Sequence, residues 1–260
     1  LITGCAIVEL PDGSVTYERR EFGGFKRDRK ALAEWARAIA PDVVVMESTG
    51  IYWKSPYAAL EGVGIIAWVV NARHVKAVPG RKTDVADAQW LASLARAGLL
   101  RASFIAKADL RSLRHIARHR QKLGGMLASE KNRLHKLLTD AGIRLGVVVS
   151  DLHGQSARAM VKALIAGKTV PEVLNLASKR LRASREDIFE ALQAEEITPA
   201  HRFVLVEIMA HIEELESCIT RFDAELLRSL QGAGYGVPLQ LLQTLPGIDL
   251  IGAAMLLVEI

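Results

Sequence analysis

The stretch Val43-Val44-Val45-Met46-Glu47-Ser48-Thr49-Gly50 decides the fold. A short apolar run closed by small polar residues reads as a buried strand. Glu47 then stands at the strand's carboxyl end, the edge at which open α/β sheets gather their chemistry. Further on, Lys82-Thr83-Asp84-Val85-Ala86-Asp87-Ala88 spaces two acids three apart. On a helix that spacing puts both on one face, and in a first turn the macrodipole favours them. Thr83 also suits an N-cap, in which case the two aspartates only decorate a helix start. With Glu47 added, three carboxylates without Cys or His at ligand spacing suit a hard cation, Mg²⁺ or Mn²⁺.

Outward from Glu47, strands and helices alternate. Ile2 to Leu10 reads as a strand, Pro11-Asp12-Gly13-Ser14 as a turn and Val15 to Phe22 as the returning strand. A helix is expected over about Lys30 to Ile39, with Leu32, Trp35, Ala36 and Ile39 on its apolar face. Pro56 to Leu60 reads as helix, stopped by Gly62 and Gly64, and Ile65 to Val70 as a further strand. This order suits a mixed sheet with flanking helices, as in RNase H-like nucleases, where acids from strand ends and a following helix meet around metals. Arg73, His74, Lys76, Arg81 and Lys82 flank the second acidic motif and are expected to guide a nucleic-acid backbone. Leu1 already lies within strand-like sequence, so an upstream segment is expected to carry the fourth carboxylate that a two-metal site commonly needs. Asp12, in the hairpin turn, is a poor substitute.

The 260 residues are half hydrophobic and 24% charged, which suits one large or two modest folded domains and argues against disorder. No apolar run approaches the ~18 residues of a membrane span, so no membrane partner is expected. Cys5 and Cys218 match no ligand spacing and point to a reducing compartment and two ordinary buried thiols, with neither disulfide nor zinc. The net charge of +5 becomes informative because basic residues cluster.

A helical region is expected over 107–235, after an α/β domain over 1–106. Leu113, Ile116, Leu123, Leu127, Leu134 and Leu137 step by three and four, a coiled-coil-like seam interrupted by Arg120 and Glu130, and Gly124-Gly125 should bend or weaken it. Outside the seam lie Arg111, Arg114, Arg118, Lys122, Lys131, Arg133 and Lys136, with His115, His119 and His135, either a phosphate-contacting stripe or a solvated helix face. Residues 151–200 read as short helices, one opened by the capping box Ser184-Arg185-Glu186-Asp187, and show no chemistry. Thr198-Pro199 starts a long helix whose apolar Leu205, Ile208, Ile212, Leu215, Ile219, Phe222 and Leu226 suit packing on the 108–141 helix or on another subunit. Leu245-Pro246-Gly247-Ile248, within 236–260, looks like a helix-hairpin-helix turn, but Asp249 would repel a phosphate, and ordinary helix packing fits better.

These residues resemble the DEDD transposases of insertion sequences that recombine DNA under the direction of a bridge RNA. The resemblance rests on Glu47-Ser48-Thr49-Gly50-Ile51-Tyr52 and Lys82-Thr83-Asp84-Val85-Ala86-Asp87-Ala88, the basic helices and Leu245-Pro246-Gly247-Ile248. It implies an RuvC-like, RNase H-fold domain in which Glu47, Asp84 and Asp87 are three of four catalytic, Mg²⁺-binding carboxylates. It also implies a coiled-coil region used in assembly as a dimer or tetramer, and a C-terminal transposase domain whose serine attacks DNA. The implied partners are DNA and a guide RNA, and the implied location is cytoplasmic and nucleoid-associated. The first Asp would precede Leu1 and the serine would follow Ile260, so this chain alone is expected to be inert in strand exchange.

Other readings stay open. A junction resolvase would use the same carboxylates with water as nucleophile. A non-catalytic nucleic-acid-binding assembly module would leave the acids idle. A sugar-kinase-like ATP enzyme would need Gly-rich phosphate loops, for which Gly23-Gly24 lacks the flanking pattern.

Overall fold

The structure, a computed structural model, describes residues 1–77, 84–194 and 197–260. Its contacts divide the chain into two units, 1–105 and 106–260.

In the first unit, β1 (Ile2–Glu9) and β2 (Val15–Phe22) form an antiparallel hairpin with Ile2 opposite Phe22 and Glu9 opposite Val15. Its turn closes through Leu10 N to Ser14 O at 2.8 Å, with Gly13 at φ 79°, a left-handed conformation that favours glycine. The Asp12 carboxylate accepts from Ser14 N and Oγ at 2.9 and 2.6 Å, contacts that lower its pKa, the hydroxyl foremost. Helix α1 (Lys26–Ile39) starts four residues before the expected Lys30, because Asp28 caps it by accepting from Phe25 N at 2.9 Å. It buries Leu32, Ala33 and Ala36, and Trp35 packs on Phe22 with ring centroids 5.5 Å apart while donating to Glu18 at 2.8 Å.

Next come β3 (Val44–Glu47), α2 (Lys54–Glu61), β4 (Ala67–Val70), α3 (Ala72–Ala77) and α4 (Asp84–Arg96). The short α3 is absent from the sequence reading. β3 and β4 pair in parallel, Val44 with Ala67 through Glu47 with Val70. On its other edge, β4 meets Ala102 through an antiparallel bridge at Val70, and Ser103 N donates to Val69 O at 2.7 Å. The single mixed sheet of the sequence reading is therefore two separate two-stranded ladders among the described residues. Element order sets the sequence of strands and helices but not which strands lie side by side, and here α4 packs on both β1 and β3 instead of their pairing directly. Arg19 donates to Gln89, and Arg96 to Glu9 at 3.2 Å, tying α4 to the hairpin.

The second unit is helical: α5 (Ala108–Asp140), α6 (Leu145–Val148), α7 (Gln155–Ile165), α8 (Val170–Leu174), α9 (Arg185–Leu192), α10 (Pro199–Gly232), α11 (Gly236–Gln243) and α12 (Leu250–Glu259). α5 and α10 pack against each other, and polar pairs that ascend α5 while descending α10 show the arrangement to be antiparallel. Arg120 grips Asp223 at 2.8 and 3.2 Å, Glu130 meets His211 at 3.4 Å, and Asp140 meets His201 at 3.1 Å. The two positions that interrupt the apolar seam, Arg120 and Glu130, are thus polar links between the helices. Glu130 is only 6% exposed and also holds Arg133. A shifted register would leave such charges unpaired in a partly dry interface, which is costly. The expected weakness at Gly124-Gly125 does not interrupt α5, which runs continuously through both. Each glycine costs the helix ~1 kcal/mol, less than packing against α10 supplies.

One core gathers Leu134, Leu138, Ile143, Leu145, Met160, Leu192 and Ile212 around α6 to α9. Another joins Leu110, Leu113, Ala117, Leu226 and Leu230 to α11 and α12 through Leu239, Ala253, Ala254 and Val258. Cys5 and Cys218 are free, half-buried thiols. Among the described residues no helix is long and apolar enough to cross a membrane.

Candidate active site

Glu47 ends β3, opposite Val70, and Ser48 N extends the ladder to Val70 O at 2.9 Å. The chain then turns sharply: Thr49 N donates to Glu47 O at 2.9 Å, and Gly50 adopts φ 53°. The turn brings Thr49 Oγ1 to 2.9 Å from Glu47 Oε1, to which it donates. One carboxylate oxygen is thereby oriented, and the other makes no hydrogen bond among the described residues. The sequence reading missed Thr49. A hydroxyl two residues beyond a strand-end acid was the available signal.

Val45 packs against a small core of Val70, Val75 and Leu94, to which α4 also contributes Trp90 and Leu91. Side chains alternate along a strand, so Glu47 shares the Val45 face of β3. Asp87 precedes Trp90 and Leu91 by three and four residues and so shares their stripe on α4. It is half-buried and makes no hydrogen bond or ion pair among the described residues. Two acids therefore belong to the faces of β3 and α4 that meet across this core. The side chain of Asp84 lies outside the described residues, and among those described no three His, Cys, Asp or Glu side chains form a metal-holding group.

Of the basic residues expected near the acids, Arg73 is exposed at the start of α3, its backbone N donating to Asn71 Oδ1 at 2.9 Å. The side chains of His74 and Lys76, like Arg81 and Lys82 entirely, lie outside the described residues. The α5 arginines are engaged within the chain. Arg111 donates to Ala106 O at 2.8 Å. Arg114 donates to Val258 O and Glu259 O at 2.8 and 3.0 Å, and Arg118 forms a fork with the Glu259 carboxylate at 2.8 and 2.9 Å. These bonds hold α12 on α5, and the Arg118 hydrogen bond is the main reason Glu259 titrates below the usual carboxylate range. At the Leu245-Pro246-Gly247-Ile248 turn, Asp249 accepts from Gly252 N at 2.6 Å and caps α12. The carboxylate that conflicts with a phosphate site is thus a helix cap, and α11 packs on α12 as ordinary helices do.

The first unit is thus α/β with acids at a strand end and on a following helix, and the second unit is helical. The family model for IS110-type DEDD transposases, described as "Transposase", matches residues 5–143, more than half the chain, and the chain belongs to that family. No curated protein matches it.

Proposed function

We propose that this transposase cleaves and exchanges DNA strands in metal-dependent fashion, with Glu47, Asp84 and Asp87 as its metal-holding carboxylates. The observation that carries this reading is the pairing of faces: Glu47, one oxygen steadied by Thr49, and Asp87, which has no partner among the described residues, belong to surfaces of β3 and α4 that meet across one small core. A half-buried carboxylate is costly to hold in charged form, and a cation beside it offsets that cost. The all-oxygen donor set fits Mg²⁺ or Mn²⁺, and such an ion would polarise the scissile phosphate. The chain's own part is to hold that donor set still, through the β3–β4 ladder, the Thr49 hydroxyl and the packing of α4.

The sheet belongs, on this reading, to an RNase H-like fold, supported by the parallel β3–β4 pair, the hairpin and the shared covering helix α4. Arg73, His74, Lys76, Arg81 and Lys82, between the two acidic motifs, draw the nucleic-acid backbone toward the acids. Guidance by RNA and homo-oligomeric assembly are proposed from the family resemblance alone. The test is strand cleavage by the full-length protein with Mg²⁺. Asp84→Asn should abolish cleavage while DNA affinity measured in chelator stays within about twofold. Retained cleavage rejects the carboxylate assignment.

A further inference from the structure

The positive charge of α5 is largely spent inside the molecule, whereas a segment in which the sequence reading found no chemistry keeps its charge free. Lys179, Arg180 and Arg182 lie between α8 and α9, all exposed, and their side chains form no ion pair or hydrogen bond among the described residues. The segment has a set conformation. Ser178 N donates to Ser156 Oγ on α7 at 2.9 Å, and that hydroxyl donates onward to Leu176 O at 3.2 Å. Leu181 N closes a turn on Ser178 O at 3.1 Å, and Arg180 N donates to Ser178 Oγ at 3.2 Å. Ala177, Leu181 and Ala183 pack against the core around α6 to α9. With these three turned inward, the cations between them face water. Of the acids on α9, Asp187 accepts from Ser184 Oγ at 2.8 Å, and Glu186 and Glu190 make no ion pair with the three cations.

We propose that Lys179, Arg180 and Arg182 form a contact surface for the phosphate backbone of duplex DNA. Three cations held on a hydrogen-bonded turn with no carboxylate partner among the described residues meet the main requirement of phosphate contact, since counterions and not protein acids must be displaced. The two guanidinium groups favour phosphate oxygens by their fork geometry. The choice of duplex DNA rests on the family's transposase role and not on the carboxylate assignment.

The test is fluorescence anisotropy of the full chain on a labelled duplex, in chelator, across a salt series. The variant Lys179→Gln/Arg180→Gln/Arg182→Gln should lower the slope of log affinity against log salt by about 2.7, at ~0.9 per phosphate contact, and weaken binding at least about tenfold near 0.1 M salt. Its melting temperature should not change, because the replaced groups are exposed and have no partner among the described residues. If the triple variant does not fold, each single substitution should lower the slope by about 0.9. The control Lys26→Gln/Arg27→Gln/Lys30→Gln, on α1, should leave the slope unchanged. An equal loss in that control, or an unchanged slope in the loop variants, overturns the proposal. So does a loss confined to single-stranded RNA or to vesicles of anionic lipid. Because no metal is present, the result is independent of whether Asp84→Asn abolishes cleavage.

Discussion

Replacing Glu216 by Gln should reduce stability at neutral pH and remove a specific part of the acid sensitivity of the helical unit. Glu216 lies on α10 where α7 and α5 converge. Arg158 of α7 grips both carboxylate oxygens at 2.7 and 2.8 Å, and Lys131 of α5 approaches to 3.3 Å. The Arg158 hydrogen bonds are the largest influence, with Lys131 adding and burial opposing, and together they lower the Glu216 pKa from 4.5 to about 2. A carboxyl depressed this far contributes up to ~3 kcal/mol at neutral pH by linkage. Its side chain is 32% exposed, so solvent screening reduces the figure to roughly 1–2 kcal/mol. The sign follows from the direction of the shift. The contribution is fully present above pH ~4.5, where the unfolded chain is also ionised, and is lost as pH falls toward about 2. Urea denaturation followed by circular dichroism at pH 7, 5 and 3.5 measures it. The wild type should exceed Glu216→Gln by roughly 1–2 kcal/mol at pH 7, nearly as much at pH 5, and clearly less at pH 3.5. A gap that stays constant across this range would refute the reasoning, since it would reflect lost packing and not a charge held by Arg158.

Two further outcomes are expected. Gly50→Ala should cost about 1 kcal/mol in urea denaturation, because φ 53° is strained for a residue with a Cβ, and Gly50→Asn should cost less; equal costs would point to a clash instead, although an added Cβ would meet only the Tyr52 ring at 3.6 Å. Arg118→Gln should speed amide exchange along α12 while leaving the salt slope of DNA binding unchanged, because its guanidinium is committed to Glu259; a slope lowered by about 0.9 would show that it also reaches phosphate.

The hairpin was legible almost to the residue, because strand ends there coincide with a turn whose residues, Pro11 to Ser14, have few other uses. The start of α10 was legible for a similar reason: Thr198 accepts from His201 N at 3.1 Å and Pro199 follows, a capping arrangement written in consecutive residues. Lateral strand pairing was not legible, because nothing in Val44–Glu47 specifies its neighbour beyond β4. At the site, the apolar run leading to Glu47 and the spacing to Asp87 marked strand end and helix face. The Thr49 contact depends on the turn at Gly50, a conformation that side-chain type suggests but does not dictate.

Charge shows most plainly where sequence reading stops. Counted along the chain, α5 has the densest basic stripe and 151–200 looks ordinary, so electrostatics alone sends a polyanion to α5. The folded chain changes that ranking, because each α5 cation must be weighed with whatever its helix packs against. Arg120 meets Asp223, Lys131 meets Glu216, and Arg118 meets Glu259, acids more than 80 residues away in sequence. Lys179, Arg180 and Arg182 acquire no such partner among the described residues, since Leu181 and its apolar neighbours are what anchor their segment. A cation already paired must break a charge-assisted bond before it meets phosphate, and an unpaired one need only release solvent and counterions. The availability of charge, more than its amount, is therefore what should decide where this transposase meets its DNA.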